Sequence, residues 1–417
     1  MGALIILTAA LAAQATTGSG STPPPSAPET TSSGPKAGQS TYVDVEGGAG
    51  YSTNPRLTLN SHSGSGFGRI AVHAVHTRRS VRTTTLVSLY AENVTYTNDY
   101  GSNQSLSFYG RHDAAVTEHL SVFGDLSGSY QQGGQLDTRI LVVPVVPPLN
   151  GVPGTPILLP PGTDFLTVRG KVYNLAAHAG AQIALSPRDN LSVTSGLERT
   201  VFHSGFARTS YTSVPVSLAY DRRLSERSTV GARLSAVDTD YNGPANVRVI
   251  TPQVTGRVAL SPFISFSGAL GVSFARVDDG IRIRHSTGLA ANASLCSTTE
   301  TGSLCGHVSI DQQTATAAGP SKSMSAGVEY SRRLDADSTL SFALGVDRFS
   351  TPISVVVGQP FSRSTYYRAS AEYSRRIGRR LFGGADLSAR KLTEAGPDPK
   401  TDLNGSLFIR YRFGDVQ

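Results

Sequence analysis

A few groups of residues have the types and spacing that chemistry would need. Cys296 and Cys305, the chain's two cysteines, lie close together in a Gly/Ser/Thr-rich segment. In an exported chain such a pair reads as a local disulfide, which would constrain the segment by roughly 2–3 kcal/mol. A metal site is the rival reading, but only His307 is near enough to join it. Asp238-Thr239-Asp240-Tyr241-Asn242-Gly243 matches the opening of a calcium-binding loop. Its twelfth position is Val249 where a bidentate Glu is needed, and a tight turn explains the same residues. His307-Val308-Ser309 has a His-x-Ser spacing that some lipid hydrolases use. Placed in a loop, without an orienting acid, it lacks the rigid frame that catalysis requires. His73 and His76 fall on opposite faces of one strand. Ser63-Gly64-Ser65-Gly66-Phe67-Gly68 reads as a loop entering a strand, not as a phosphate cradle. The expectation is a protein without catalytic residues, resident metal or cofactor.

The remaining candidates are charges set into segments that alternate in polarity. They are Arg233, Arg257, Arg368, Arg390, Arg410 and Arg412, with Glu198, Glu329, Glu372 and Asp386. If the apolar faces of these segments meet lipid, the charges line a lumen walled mostly by Ser, Thr and Gly. Such a wall suits hydrated solutes, and its Arg excess predicts a mild anion preference. The alternative is that the charges pair across strands and only stabilise the wall. Tyr366 and Phe408 are aromatic candidates on the same inward faces, as a polysaccharide path would want.

The elements that must position these charges are two-faced strands. From Tyr42 onward, segments of roughly 10–14 residues alternate with the period of a strand. In Ile264 to Ala275, Ile264, Phe266, Leu270, Val272 and Phe274 share one face, and Ser265, Ser267, Ala269, Gly271 and Ser273 the other. In Leu403 to Phe413, Leu403, Leu407, Ile409, Tyr411 and Phe413 oppose Asn404, Ser406, Arg410 and Arg412. A helix would not sort residues this way. Short connections at 186–190, 224–227, 261–263, 334–337 and 377–380 alternate with longer ones, notably about 132–165 and 279–319. Counting between connections yields about sixteen strands, within two, since the segment 166–185 is long enough to hold a bend and the loop 279–319 could hold a hairpin. Short turns at one end and long loops at the other suit an up-and-down transmembrane barrel. Tyr220 with Arg222, Tyr330 with Arg332, and Tyr373 with Arg375 each end a strand before a short turn. Tyr suits a membrane interface and Arg can reach lipid phosphate beside it. A soluble sandwich with basic turns would need a second sheet for every apolar face. The Pro-rich stretch Val142 to Pro161 could fold inward as a constriction or cap the mouth.

Composition agrees. Charged residues are only 16% of the chain, against roughly 25% in ordinary globular proteins. No internal stretch approaches the roughly 20 apolar residues of a spanning helix. The net charge of +7 is spread over short turns, so nucleic-acid binding is not expected. Ala3 to Ala13 is a short apolar run, and Ala13-Gln14-Ala15 has the small-x-small pattern of signal cleavage. The expected organisation is a signal peptide at 1–15, a disordered Pro/Ser/Thr-rich linker at 16–40 and a barrel at 41–417.

The region from 42 to 417 resembles bacterial outer-membrane β-barrels. The closing strand Leu407-Phe408-Ile409-Arg410-Tyr411-Arg412-Phe413 is similar to the aromatic-ended last strand of that class. Here Gly414-Asp415-Val416-Gln417 follow the aromatic. The opening strand Val43-Asp44-Val45-Glu46-Gly47-Gly48-Ala49-Gly50-Tyr51-Ser52-Thr53-Asn54-Pro55 resembles the start of barrels found with exopolysaccharide genes. The resemblance implies an outer-membrane location, lipid as surroundings and the barrel assembly machinery as a partner for the last strand. It also implies a porin-like channel for small hydrophilic solutes. An accessory role in exopolysaccharide export and a structural or adhesive barrel are the alternatives.

Overall fold

The computed structural model describes residues 38–55, 57, 63–98, 100–132, 170–203, 210–243, 245–315, 319–350, 363–393 and 400–415. The expected signal peptide, most of the linker and the Pro-rich 142–161 stretch lie outside them. The strands are β1 (Gly38–Ser52), β2 (Ser65–Arg79), β3 (Thr83–Tyr96), β4 (Ser102–Ala115), β5 (Leu120–Gln132) and β6 (Lys171–Ala184). They continue with β7 (Asp189–His203), β8 (Tyr211–Ser225), β9 (Ser228–Tyr241), β10 (Asn246–Ala259), β11 (Ile264–Asp278) and β12 (Ile283–Thr299). The last six are β13 (Gly302–Ala315), β14 (Gly319–Arg333), β15 (Ser338–Ser350), β16 (Arg363–Arg376), β17 (Leu381–Thr393) and β18 (Lys400–Gly414). Each pairs antiparallel with the next, and β18 returns to β1, so the sheet of 18 strands closes.

Burial along the wall is inverted relative to a soluble protein. Leu270, Leu387 and Leu407 are 62%, 64% and 70% exposed, whereas Thr239, Ser273 and Asp402 are 0%, 0% and 1%. An exterior this apolar is at its lowest free energy in hydrocarbon, where closure also leaves no unpaired sheet edge. The chain is therefore an outer-membrane β-barrel.

The structure has eighteen strands where the sequence count is about sixteen, and the difference lies at a single place. The segment read as the long loop 279–319 contains the hairpin of β12 and β13. Its alternation is muted because Ala, Ser, Thr, Asn and Gly occupy most positions of β12, so few large apolar residues mark its outward face. Cys296 and Cys305 accordingly lie on paired strands, directly opposite one another and joined as a disulfide. Two further boundaries move. β1 begins at Gly38 and not near 41, because Gly38, Gln39 and Ser40 pair with Arg79, Arg78 and Thr77. β6 is one continuous strand without a bend. At the other terminus Gly414 takes φ +90°, a conformation that favours glycine. It turns the chain so that Asp415 N–H donates to the Thr41 carbonyl (2.9 Å) while Thr41 N–H donates to the Asp415 carboxylate (2.7 Å).

The β12–β13 ladder departs from the rest in its outer half. Among the described residues its pairing stops at Ala291 and Ile310, although β12 continues to pair with β11 and β13 with β14. Beyond that point the end of β13 lies over the inner face of β12. Gln312 Nε2 donates to Ser286 Oγ at 2.9 Å, and Ser273 of β11 hydrogen-bonds the Asp311 carboxylate. Gly288 lies beneath the overlap, where a Cβ would come into ordinary contact with Gln312 Oε1 at 3.4 Å.

Several of the short turns share one device. A Ser, Thr or Asp just after the strand accepts hydrogen bonds from the N–H groups two and three residues on. Thr117, Ser186 and Ser261 do this at the β4–β5, β6–β7 and β10–β11 turns. At β14–β15 the acceptor is Asp335, with Asp337 and Ser338 N–H at 2.8 and 2.7 Å. The Ser338 side chain and these two amides hold its carboxyl below the usual range. A depressed folded-state pKa means that the contribution is complete above the unfolded value and fades as pH falls through the folded one. Asp335→Ala is expected to speed amide exchange at Asp337 and Ser338 at pH 7. Lowering the pH of the parent protein through the acid range should reduce protection at those two amides, measured against the intrinsic exchange rate at each pH, while leaving protection in the Ser261 turn unchanged.

Candidate functional site: the inward wall

Alternation along each strand places all ten predicted charges on the inward face, opposite the exposed apolar residues. The wall divides into regions with different chemistry.

The closing seam, β17–β18–β1–β2–β3, is an ordered ladder of acids and bases. Arg410 Nε donates to Glu46 Oε2 at 2.9 Å, and Arg69 donates to the other oxygen of the same carboxylate. Arg69 also stands 3.9 Å from Glu92, which accepts the Tyr90 hydroxyl at 2.7 Å. Arg412 is bidentate to Asp44, both contacts at 2.7 Å, and its guanidinium lies 4.4 Å from the Tyr42 ring centre. Arg390 pairs with Asp402 at 2.5 Å, while Ser52 Oγ and Asn54 N–H donate to the same carboxylate. Glu372 stands opposite Asp386, which accepts from Ser406. Glu46, Arg69 and Arg410 are 5%, 3% and 5% exposed, so these groups are sealed into the wall. For Arg390, Arg410 and Arg412 the geometry is thus that of cross-strand pairing.

A second cluster joins β4 to β7. His178 bridges Asp125 (2.9 Å) and Glu198 (3.1 Å) through its two ring nitrogens. Arg111 pairs with Asp113 at 2.8 Å and lies 4.5 Å from the centre of the Phe123 ring. On β15 and β16, Arg368 stands 3.9 Å from Asp347. The wall of β9 and β10 differs. Among the described residues neither Arg233 nor Arg257 is in an ion pair, and Arg257 is exposed. Glu329 on β14 is likewise outside any ion pair among them.

Tyr366 and Phe408 face inward but are 1% and 3% exposed. Tyr366 packs against Leu57 and Leu392, and Phe408 lies beside the Arg410 guanidinium. Neither offers a ring face to a passing sugar, which corrects their reading as lumen aromatics. His307 and Ser309 lie on β13 and not in a loop; Ser309 Oγ is 2.6 Å from Ser325 Oγ. Asp238 and Asp240 point outward from β9 with Thr239 between them on the inner face, and Asp238 pairs with Arg248 at 2.5 Å. An extended strand does not wrap these residues around one cation as a calcium loop does.

At the turn end, Tyr220, Tyr330 and Tyr373 stand on the lipid side with Arg222, Arg332 and Arg375. The Tyr220 hydroxyl donates to Asp189 at 2.6 Å, with Arg222 3.9 Å from the same carboxylate. The sequence reading overlooked Asp44, Glu46, Arg69, Glu92, Arg111, Asp125, His178 and Asp402. The parity rule that selected residues on late strands also marks these.

No protein-family model and no curated protein matches this chain. Among solved structures it is similar to OccK2 (OpdF) of Pseudomonas aeruginosa, at TM-score 0.45 and 9% identity over 91% of this chain and 98% of that one. It is similar to the FrpB iron transporter of Neisseria meningitidis (F5-1 variant) at 0.45 and 8%, over 90% and 82%. A bacterial polysaccharide outer membrane secretin aligns at 0.35 and 9%, over 89% and 98%. These are likenesses of fold alone.

Glu46→Ala removes the carboxylate shared by Arg69 and Arg410 and is expected to cost about 3–5 kcal/mol, because Arg410 loses its counter-charge in a sealed wall and Arg69 keeps only the more distant Glu92. Arg257→Ala should change stability by less than about 0.5 kcal/mol. Denaturant unfolding of vesicle-inserted protein, read by the heat-modifiable gel shift, distinguishes the two.

Proposed function

We propose that the barrel is a channel for small hydrophilic solutes with a mild preference for anions. The observation that carries this reading is the pair Arg233 and Arg257. They stand on the inward face of a polar wall, and among the described residues neither is in an ion pair, Asp221 being the acid whose charge reaches Arg257 without contact. A wall of this many strands encloses more space than its own side chains fill, as far smaller barrels do not. Cations outside contact ion pairs attract hydrated anions into that space, whereas the paired Arg390, Arg410 and Arg412 contribute little net field. The inward lean of β13 narrows the outer half of the passage on the side of β11 and β12. Export of a polysaccharide would want ring faces along the path, and the burial of Tyr366 and Phe408 argues against using those two.

Planar-bilayer recording of the refolded chain tests the reading. Steady conductance with a reversal potential on the anion side is the expected result. Arg233→Gln combined with Arg257→Gln should lower the anion-to-cation permeability ratio by about two-fold, while Arg412→Gln combined with Asp44→Asn, which removes both charges of a pair, should leave it nearly unchanged. A folded barrel without conductance would replace the channel with a structural or adhesive barrel. Equal effects from both sets of substitutions would show that the paired arginines also face the solute.

A further inference from the structure

We propose that the lipid-facing wall between β11 and β18 holds an anionic, acylated lipid of the outer leaflet. Arg348, Arg363 and Lys391 would bind its phosphate, and a groove beneath them would take an acyl chain. This inference depends on the barrel's orientation in the membrane and not on its conducting solutes.

The groove has a volume of about 860 Å³ and crosses the exterior from Phe266 to Leu403. Small outward residues on successive strands form it, including Gly306, Ala326, Ala369 and Ala389, with Leu344 and Leu403 as higher sides. A convex barrel surface normally offers lipid no such hollow. Filling it with a flexible hydrocarbon chain restores the dispersion contacts that the missing side chains leave out.

Charge at the outer end selects the headgroup. Val346, Tyr367, Lys391 and Thr401 form one row across β15 to β18, and Lys391 ends the groove in that row. Arg348 lies one outward position further from the turn end, beside Thr365, and Arg363 one further again on β16. All three cations are exposed, and among the described residues none forms an ion pair. The outward faces of β15 to β18 carry no carboxylate; Asp347 and Asp402 of these strands point inward to Arg368 and Arg390. Three cations above an apolar belt, without a protein counter-charge, match a phosphorylated headgroup at the height where Tyr367 marks the interface.

The chain contains no Trp, so one indole reports one site. Tyr367→Trp is placed in phosphatidylcholine vesicles containing either dibrominated phosphatidylglycerol or dibrominated phosphatidylcholine. The expected result is a relative affinity about five-fold higher for the anionic lipid, and its loss on adding Arg348→Ala and Lys391→Ala. Leu126→Trp, on β5, should show no preference. Leu344→Trp serves if the first variant fails the gel-shift test of folding. Equal quenching by the two lipids at the groove would overturn the proposal. An indole shielded from both lipids, with cross-linked dimers on a gel, would also overturn it and assign the groove to a second copy of the chain.

Discussion

Every backbone N–H and C=O that enters hydrocarbon must find its partner within the protein, since an unmet amide there costs several kcal/mol. The rest of the structure depends on that constraint. It makes the pairing of β1 with β18, from Tyr42–Gly414 to Ser52–Asn404, the bond that completes the molecule. The same constraint explains why Gly414 turns the terminus back onto Thr41 and why the opening strand starts as early as Gly38. It also marks the outer half of the β12–β13 ladder as the departure. There the side chains of Asp311 and Gln312 make contacts on the inner wall where backbone pairing has ended.

Closure brings together segments from opposite ends of the chain, and the densest electrostatics lie on that seam. Glu46 from the first strand sits between Arg410 from the last and Arg69 from the second. Asp44 meets Arg412, and Ser52 and Asn54 converge with Arg390 on Asp402. Sealed pairs of this kind are weak evidence for stability in themselves, because desolvation opposes their attraction. Their effect here is on register. A slip of one residue would turn these charges toward lipid and the aliphatic residues toward the lumen. The β9–β10 wall has no comparable lock, which leaves Arg233 and Arg257 to act on what passes.

The outer surface shows the complementary division. Aliphatic residues form a belt, the Tyr and Arg pairs sit near the short turns, and cations concentrate at the other end on β15 to β17. The turn-end Arg222 approaches Asp189, whereas Arg348, Arg363 and Lys391 stand on faces without acids. The barrel therefore presents different charge environments to the two leaflets.

The alternation of residues such as Ile264 to Ala275, the short connections at 186–190, 261–263 and 334–337, and the aromatic last strand were enough to read a closed membrane barrel from one chain. That legibility is local in origin: the face of a strand residue follows from parity, and a turn from the residue that caps it. Parity also assigned the inward charges. It did not find β12, whose small residues blur the two faces, so the hairpin carrying the disulfide looked like a loop. Which inward charges are paired was not readable either, because Glu46 and Arg410 stand 364 positions apart and meet only when the sheet closes. The burial of Tyr366 and Phe408, the lean of β13 over Gly288 and the groove above Ala369 likewise depend on neighbouring strands. The sequence by itself determined which face each residue shows; only the closed tertiary structure decided what that residue meets there, since partners across a barrel are set by register and closure and not by distance along the chain.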